Sequence, residues 1–310
     1  MQRIVISESM DAPAVALLAR DFEVDYRPAL CDDAASLARA LAGAEAWIVR
    51  NRTQVRGAPL EAAARLRVVG RLGVGLDNID MAACEARGIA VYPATGANAD
   101  SVAEYVLAMA MILLRGAAYL STAAVAAGRW PRQMLSQGRE VAGKTIGLVG
   151  FGSIGRVTAR KVAAMGMRVV AFDPVVPADS PAWREHGAEP LPLDELLAAA
   201  DVVSLHLPLS DATRGLLGEA RLARMKPGAI LVNSARGGIV DEPALARALV
   251  EGRLAGAALD VFDREPLAAG SPLADAPNLI LTPHIAGVTL ESNERVSAII
   301  AERVAAHLRR

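Results

Sequence analysis

The chain has 310 residues, enough for two domains of ordinary size that each bury a core. Its 33 Lys and Arg nearly balance 34 Asp and Glu with no long run of one sign, and aromatic residues make up 4%. Neither nucleic acid nor an anionic membrane is therefore an expected partner; a small molecule is. Cys31 and Cys84 lie outside any Cys-x-x-Cys spacing, which argues against a disulfide framework or a zinc site and for free thiols in a reducing cytoplasm; no metal is expected.

Residues 1–10 carry Arg3 and Glu8 around a short apolar stretch and lack the apolar block of a secretory signal, so the chain is expected to begin with its first strand. Between residues 3 and 93, β-rich runs at 3–7, 22–26, 46–50, 67–72 and 89–92 alternate with alanine-rich helical stretches. That alternation predicts βα units and a parallel sheet. A helical region from 99 to about 127, broken near Gly116 and ended near Gly128, leads into a loop through Trp130 and Pro131. Its apolar stretch 106–114, flanked by Glu104 and Arg115, is far short of the roughly 20 residues that cross a bilayer and reads as a buried helix. A second alternating series places strands at 145–150, 168–173, 202–206, 229–233, 256–260 and 279–282, matching a dinucleotide-binding sheet. After His284 comes an amphipathic helix with Val296, Ile299, Ile300, Val304 and Leu308 on one stripe, expected to pack back onto the first domain. The expected division is 1–98 plus 286–310 for one domain and 99–285 for the other, with a cleft between them.

Gly150-Phe151-Gly152-Ser153-Ile154-Gly155 follows a strand and opens a helix. Gly150 permits a tight turn, Gly152 lets the backbone approach a pyrophosphate, and Gly155 lets helix and strand pack closely. Free N–H groups at the helix start then face the phosphates. Asp173, at the end of the next strand, is placed to accept hydrogen bonds from ribose hydroxyls, and its charge would repel a 2′-phosphate; NAD is expected rather than NADP.

Three segments downstream carry chemistry. Ser234-Ala235-Arg236-Gly237-Gly238 sets a guanidinium just past a strand end, able to grip a carboxylate with two hydrogen bonds. Asp260-Val261-Phe262-Asp263-Arg264-Glu265-Pro266 and Thr282-Pro283-His284 follow. A histidine paired with a carboxylate keeps one tautomer and gains basicity, which suits a group that takes an alcohol proton and returns it. In this order the segments closely resemble the D-isomer-specific 2-hydroxyacid dehydrogenase family over nearly the full length. The resemblance implies an α/β fold with a flavodoxin-like substrate domain and a Rossmann NAD-binding domain. It makes His284 the acid/base, Glu265 its partner and Arg236 the clamp on the substrate carboxylate. It also places Ser153, Ile154, His206, Leu207, Pro208, Ser234, Ala235, Asp260, Ala286 and Gly287 near NAD. The family forms dimers, and the apolar helix at 102–114 is a candidate interface for a homodimer.

Two segments of the first domain bear on the substrate. Gly73-Val74-Gly75 resembles the family's carboxylate-binding loop, where N–H groups form an anion nest, and Arg50-Asn51-Arg52 and Arg71 add charge beside it. That is more than one carboxylate demands, so a second anionic group on the substrate is expected. These segments resemble 3-phosphoglycerate dehydrogenases and sulfolactate dehydrogenases alike. Ile285-Ala286-Gly287-Val288-Thr289 departs from the Gly-Ala-Ser-Thr of the phosphoglycerate enzymes, and the chain stops at Arg310, without their regulatory domain; both tip the expectation towards (S)-sulfolactate. A glyoxylate/hydroxypyruvate reductase is the alternative. Formate dehydrogenases carry glutamine where Glu265 stands, and NAD-binding transcriptional co-repressors share the scaffold, but no disordered or peptide-docking segment supports that class here.

Overall fold

The computed structural model describes the backbone of residues 1–310 and every side chain except that of Ala117. The chain divides into two units, Met1–Asn98 with Val288–Arg310, and Ala99–Gly287. The sequence reading put the return crossing before Ala286. Ala286 stays in the second unit because its N–H donates to the Asp260 carboxylate there, at 2.7 Å.

In the first unit, β1 (Arg3–Ile6), β2 (Glu23–Tyr26), β3 (Ala46–Val49), β4 (Val68–Arg71) and β5 (Ala90–Pro93) form a parallel sheet in the order β2-β1-β3-β4-β5. Helices α1 (Ala12–Leu18), α2 (Ala34–Leu41), α3 (Gly57–Ala62) and α4 (Met81–Ala86) make the crossovers. Asp33 and Asp80 start α2 and α4 by accepting the N–H groups of Ser36 and Ala83. Both faces of β3 are buried, which is why Ala46-Trp47-Ile48-Val49 reads as an unbroken apolar run. Alternate residues serve two cores: Ile4, Ile6, Ile48 and Val68 meet Val296, Ile300, Val304 and Leu308 of the C-terminal helix, while Val5, Trp47, Val49 and Val69 meet Leu37, Leu41 and Leu60.

The second unit opens with α5 (Ala99–Leu114), a 3₁₀ turn at Gly116–Leu120 and α6 (Thr122–Ala126). It continues through β6 (Thr145–Val149), α7 (Ser153–Ala164), β7 (Arg168–Phe172), α8 (Pro181–Glu185), β8 (Ala188–Pro190), α9 (Leu193–Ala199), β9 (Val202–Leu205), α10 (Glu219–Arg224), β10 (Ile230–Asn233), α11 (Glu242–Val250), β11 (Gly256–Leu259) and β12 (Leu279–Leu281). The last helix, α12 (Leu290–Leu308), belongs to the first unit. The sheet is parallel, in the order β12-β11-β10-β9-β6-β7-β8, so the order reverses between β9 and β6. It has seven strands where the sequence predicts six. The extra strand, β8, is a three-residue edge strand with an exposed Glu189 and a proline, too short to show a period.

The burial of α5 matches the reading of 106–114 as a buried helix. Val102, Val106, Ala110, Leu113 and Leu114 pack against Ile146, Leu148, Phe151 and Ala159, while Met111 stays exposed. Among the described residues no single helix is long and apolar enough to cross a membrane.

Gly70 on β4 lets α12 approach the sheet: a Cβ there would lie 2.6 Å from Ile300 Cγ2 and 2.9 Å from Val304 Cγ2. Gly70→Val should therefore cost about 1–3 kcal/mol by overpacking. The readout is thermal unfolding, where an unchanged midpoint would mean that α12 yields freely.

Candidate active site

Parallel strands deliver their following loops to one edge of the sheet, and in the second unit every segment singled out above follows a strand end. Gly150 has φ +106°, and a Cβ on it would lie 2.7 Å from the His206 carbonyl. A Cβ on Gly155 would lie 2.3 Å from Gly150 O. Gly150 and Gly155 are thus required by packing. Gly152 differs: it caps the 12-residue α7, and a Cβ on it would meet nothing within 4 Å. The middle glycine therefore faces open space beside the free N–H groups of Ser153 and Ile154 at the helix start, which fits a pyrophosphate held by backbone.

Asp173 turns its carboxylate onto this loop. Its Oδ2 accepts the Phe151 N–H at 2.7 Å and its Oδ1 the Val175 N–H at 2.9 Å, so two of four acceptor positions serve the backbone rather than a ribose. Of the 206–208 segment, the backbone of His206 and Leu207 packs against Gly150, and the imidazole Nε2 lies 3.0 Å from Ser204 Oγ. The residue keeps some exposed surface, yet desolvation of its ring pushes its pKa down to about 4, so it is neutral at physiological pH. Leu207 joins the core and the Pro208 carbonyl accepts from Thr213.

The loop after β10 is braced by Asn233, whose Oδ1 accepts the Ala235 N–H at 3.1 Å and whose Nδ2 donates to Arg236 O at 3.0 Å. Ser234 Oγ is buried without a protein partner, a polar atom consistent with a ligand surface. Arg236 is half-buried, with Nη1 donating to Ala235 O at 2.6 Å. Next to it a Cβ on Gly237 would lie 1.7 Å from Phe262 O, so only glycine lets the arginine loop touch the loop after β11.

Asp260 ends β11 and is 1% exposed. Its Oδ1 accepts from Thr282 Oγ1 at 2.6 Å and from the Ile285 N–H at 2.8 Å, and its Oδ2 from the Ala286 N–H at 2.7 Å. Tyr105 OH lies 2.7 Å from Thr282 Oγ1; because the Asp260 carboxylate can only accept, Thr282 donates its hydrogen there and accepts that of Tyr105, whose phenol burial pushes up to about 12. His284 stands inside this ring with φ +58°, a conformation that non-glycine residues rarely hold, and donates its N–H to Asp260 O at 2.8 Å. Its Nδ1 lies 2.9 Å from Glu265 Oε2, while Glu265 Oε1 accepts the Phe262 N–H at 3.2 Å. A carboxylate can only accept, so Nδ1 carries the hydrogen and Nε2 is left able to take a proton. Gly287, expected near NAD, closes this segment at the unit boundary.

In the first unit, Gly73 donates its N–H to Arg71 O at 2.8 Å and its carbonyl accepts the Ala94 N–H. The N–H groups of Val74 and Gly75 meet no acceptor among the described residues, as an anion nest requires. Arg71 folds over Gly73, with Nη1 donating to Leu72 O at 3.0 Å. Asn51 is exposed, and Arg50 Nη2 donates to Asn293 Oδ1 at 2.5 Å. Arg52 pairs with exposed Asp32, which takes part of the charge that the sequence left unopposed.

A family model described as the D-isomer specific 2-hydroxyacid dehydrogenase, NAD binding domain, matches residues 107–286. The chain belongs to the D-isomer-specific 2-hydroxyacid dehydrogenase family. It is an NAD-dependent oxidoreductase acting on the CH–OH of 2-hydroxy acids. The dehydrogenase is 56% identical over 305 residues to an (S)-sulfolactate dehydrogenase of Chromohalobacter salexigens, covering 98% of this chain and 97% of that one. It is 41% identical to the D-3-phosphoglycerate dehydrogenase of Mycobacterium tuberculosis, covering 97% of this chain but 56% of the relative. A crystal structure of a Thermus thermophilus protein superposes with a TM-score of 0.89 at 36% identity, covering 99% of this chain and 97% of that one.

Sequence reasoning gave Tyr105, Asn233 and Thr282 no role in the dehydrogenase. Asn233 had a signal, since it ends a strand. Tyr105 had none, because its partner is 177 positions away. Asp260→Asn would set an amide NH₂ against at least one of three donors; turnover should fall by about ten- to a hundred-fold, equivalent to about 1–3 kcal/mol. Steady-state kinetics at saturating NADH check this, and full activity would show that the loop holds His284 unaided.

Proposed function

We propose that the enzyme interconverts a three-carbon 2-hydroxy acid carrying a second anion with its 2-oxo acid, (S)-sulfolactate and sulfopyruvate being the favoured pair. The observation that carries this is that the Arg50-Asn51-Arg52 loop and the loop with the free amides of Val74 and Gly75 follow the neighbouring parallel strands β3 and β4. Arg50 donates to a neutral amide rather than to a carboxylate. The Arg52–Asp32 pair is exposed on both sides and worth only about 0–1 kcal/mol, so Arg52 can exchange Asp32 for a sulfonate at little cost. The relative at 56% identity acts on sulfolactate, which supports the same choice. Phosphoglycerate is the second reading, supported by the relative at 41% identity and opposed by the Ile285–Thr289 segment.

Arg236 then clamps the substrate carboxylate, and His284 Nε2 takes the hydroxyl proton as the C2 hydride leaves. Glu265 holds Nδ1–H and stabilises the imidazolium formed. NAD, when bound, accepts that hydride in oxidation and NADH returns it in reduction. Gly150, Gly152, Ser153, Ile154 and Gly155 would hold its pyrophosphate, with the Asp173 charge behind them disfavouring a 2′-phosphate. The residues from 99 to 287 make up the cofactor domain in this reading, and the remainder the substrate domain.

Comparison of kcat/KM for sulfopyruvate, phosphohydroxypyruvate, hydroxypyruvate, glyoxylate and pyruvate, followed by NADH absorbance, tests the assignment. A doubly anionic acid should lead. Arg52→Ala should raise KM for that acid about tenfold while leaving pyruvate unchanged. His284→Ala should lose about 100-fold or more in kcat and still bind NADH. Preference for glyoxylate or hydroxypyruvate would return the arginines to structural duty, and absence of turnover would favour a binding module.

The enzyme is also proposed to act as a homodimer in the cytoplasm. Free Cys31 and Cys84 support the compartment. Met111, Leu120, Val125, Trp130 and Met134 are 43%, 63%, 44%, 77% and 74% exposed on one continuous segment of the second unit. Met111 also lines a groove of about 540 Å³ with Ile112, Tyr119, Val141 and Met165. So much apolar surface on a short stretch marks an interface, and a second copy is the occupant this reading commits to. Trp130→Glu should shift the sedimentation coefficient to that of a monomer; an unchanged dimer would place the interface elsewhere.

A further inference from the structure

Glu8 stands just past β1, 4% exposed, and has no part in the chemistry above. Its Oε1 accepts the N–H groups of Arg50 at 2.8 Å and Thr53 at 3.0 Å, and its Oε2 the N–H of Arg52 at 3.1 Å. From the other side Asn78 Nδ2 donates to the carbonyls of Thr53 at 2.7 Å and Arg50 at 3.2 Å. Ser7 Oγ lies 3.0 Å from Thr53 Oγ1 and accepts from Trp47 Nε1.

Burial pushes the Glu8 carboxyl up, but the hydrogen bonds from Thr53, Arg50 and Arg52 outweigh it and hold the pKa below the ordinary value. For Arg50 burial dominates in the other direction, with the Glu8 charge opposing it. Burying a carboxylate under a loop meant to receive anions is costly and electrostatically contrary unless the charge is used. Two uses are visible: three charge-assisted bonds that order the loop, and a counter-charge for a half-buried guanidinium.

We propose that Glu8 is a positioning residue for substrate binding, which aims the side chains of Arg50 and Arg52 by holding the amides of Arg50, Arg52 and Thr53 and steadies the Arg50 cation by its charge. The inference rests on the reading of this loop as the receiver of the substrate's distal anion. It also says which groups remain to grip that anion. Three of the four consecutive amides from Arg50 to Thr53 are consumed by Glu8, leaving the guanidinium groups and the Asn51 N–H.

Glu8→Gln keeps the shape and removes the charge; Glu8→Asp keeps the charge and shortens the reach. Each is compared with the wild type in KM and kcat on whichever acid of the panel the wild type turns over best, in NADH affinity by fluorescence titration, and in thermal midpoint. The expected result for Glu8→Gln is a KM raised about tenfold or more, with kcat within about threefold and NADH affinity unchanged, and an intermediate KM for Glu8→Asp. Should Glu8→Gln fail to fold, the KM of Glu8→Asp decides by the same criterion. Loss of thermal midpoint and of kcat with KM unmoved would make Glu8 a structural carboxylate and overturn the proposal. KM unchanged in the Glu8 variants but raised in Arg52→Ala would overturn it while leaving the loop's role intact. KM unchanged in all of them would overturn both.

Discussion

The Asp260 carboxylate is the interaction on which the catalytic edge of the second unit depends. It is buried, and two backbone N–H groups and the Thr282 hydroxyl converge on it. Without those donors a buried charge at this depth would be untenable; without the charge the segment around His284 would lose the acceptor that bends it. The bend sets His284 at φ +58° with its Nδ1 against Glu265. Tautomer, direction of the ring and availability of Nε2 follow from a residue that need not touch the substrate.

The same device recurs. Asp173 accepts amides of the glycine loop, and Glu8 accepts three amides of the loop that carries Arg50 and Arg52. Each carboxylate lies just past a parallel strand, at the edge where the loops gather. Loops have no ladder to satisfy their N–H groups, and an acceptor-only side chain with four lone-pair positions can order several at once. A site built on loops thereby gains a rigidity that its secondary structure does not supply.

Close approach supplies the rest. Gly237 lets the arginine loop lie on the Phe262 carbonyl, and Gly150 and Gly155 let α7 and the 206–207 backbone crowd the end of β6. Gly152 is the one fingerprint glycine with open space before it, so packing explains two of the three and leaves the third for a ligand. Charge in the first unit follows a similar economy. Arg52 is held by an exposed, weak pair, and Arg50 by a neutral amide over a buried counter-charge.

The sequence by itself determined the alternation of strands and helices and the order of the glycine, arginine, glutamate and histidine segments that make Arg236, Glu265 and His284 candidates, because periodicity, glycine spacing and residue type are local properties of a chain. It did not reveal β8, whose three residues carry no period, and it left open what covers α5, whose apolar stripe looks the same whether it meets this chain or another. Only the tertiary structure decided that Asp173 faces a backbone, that Asp32 takes part of the Arg52 charge, that Glu8 holds the amides of the 50–53 loop, and that Tyr105 joins the Thr282–Asp260 network. Those facts are pairings between residues 20 to 177 positions apart, and folding alone brings such groups within hydrogen-bonding distance.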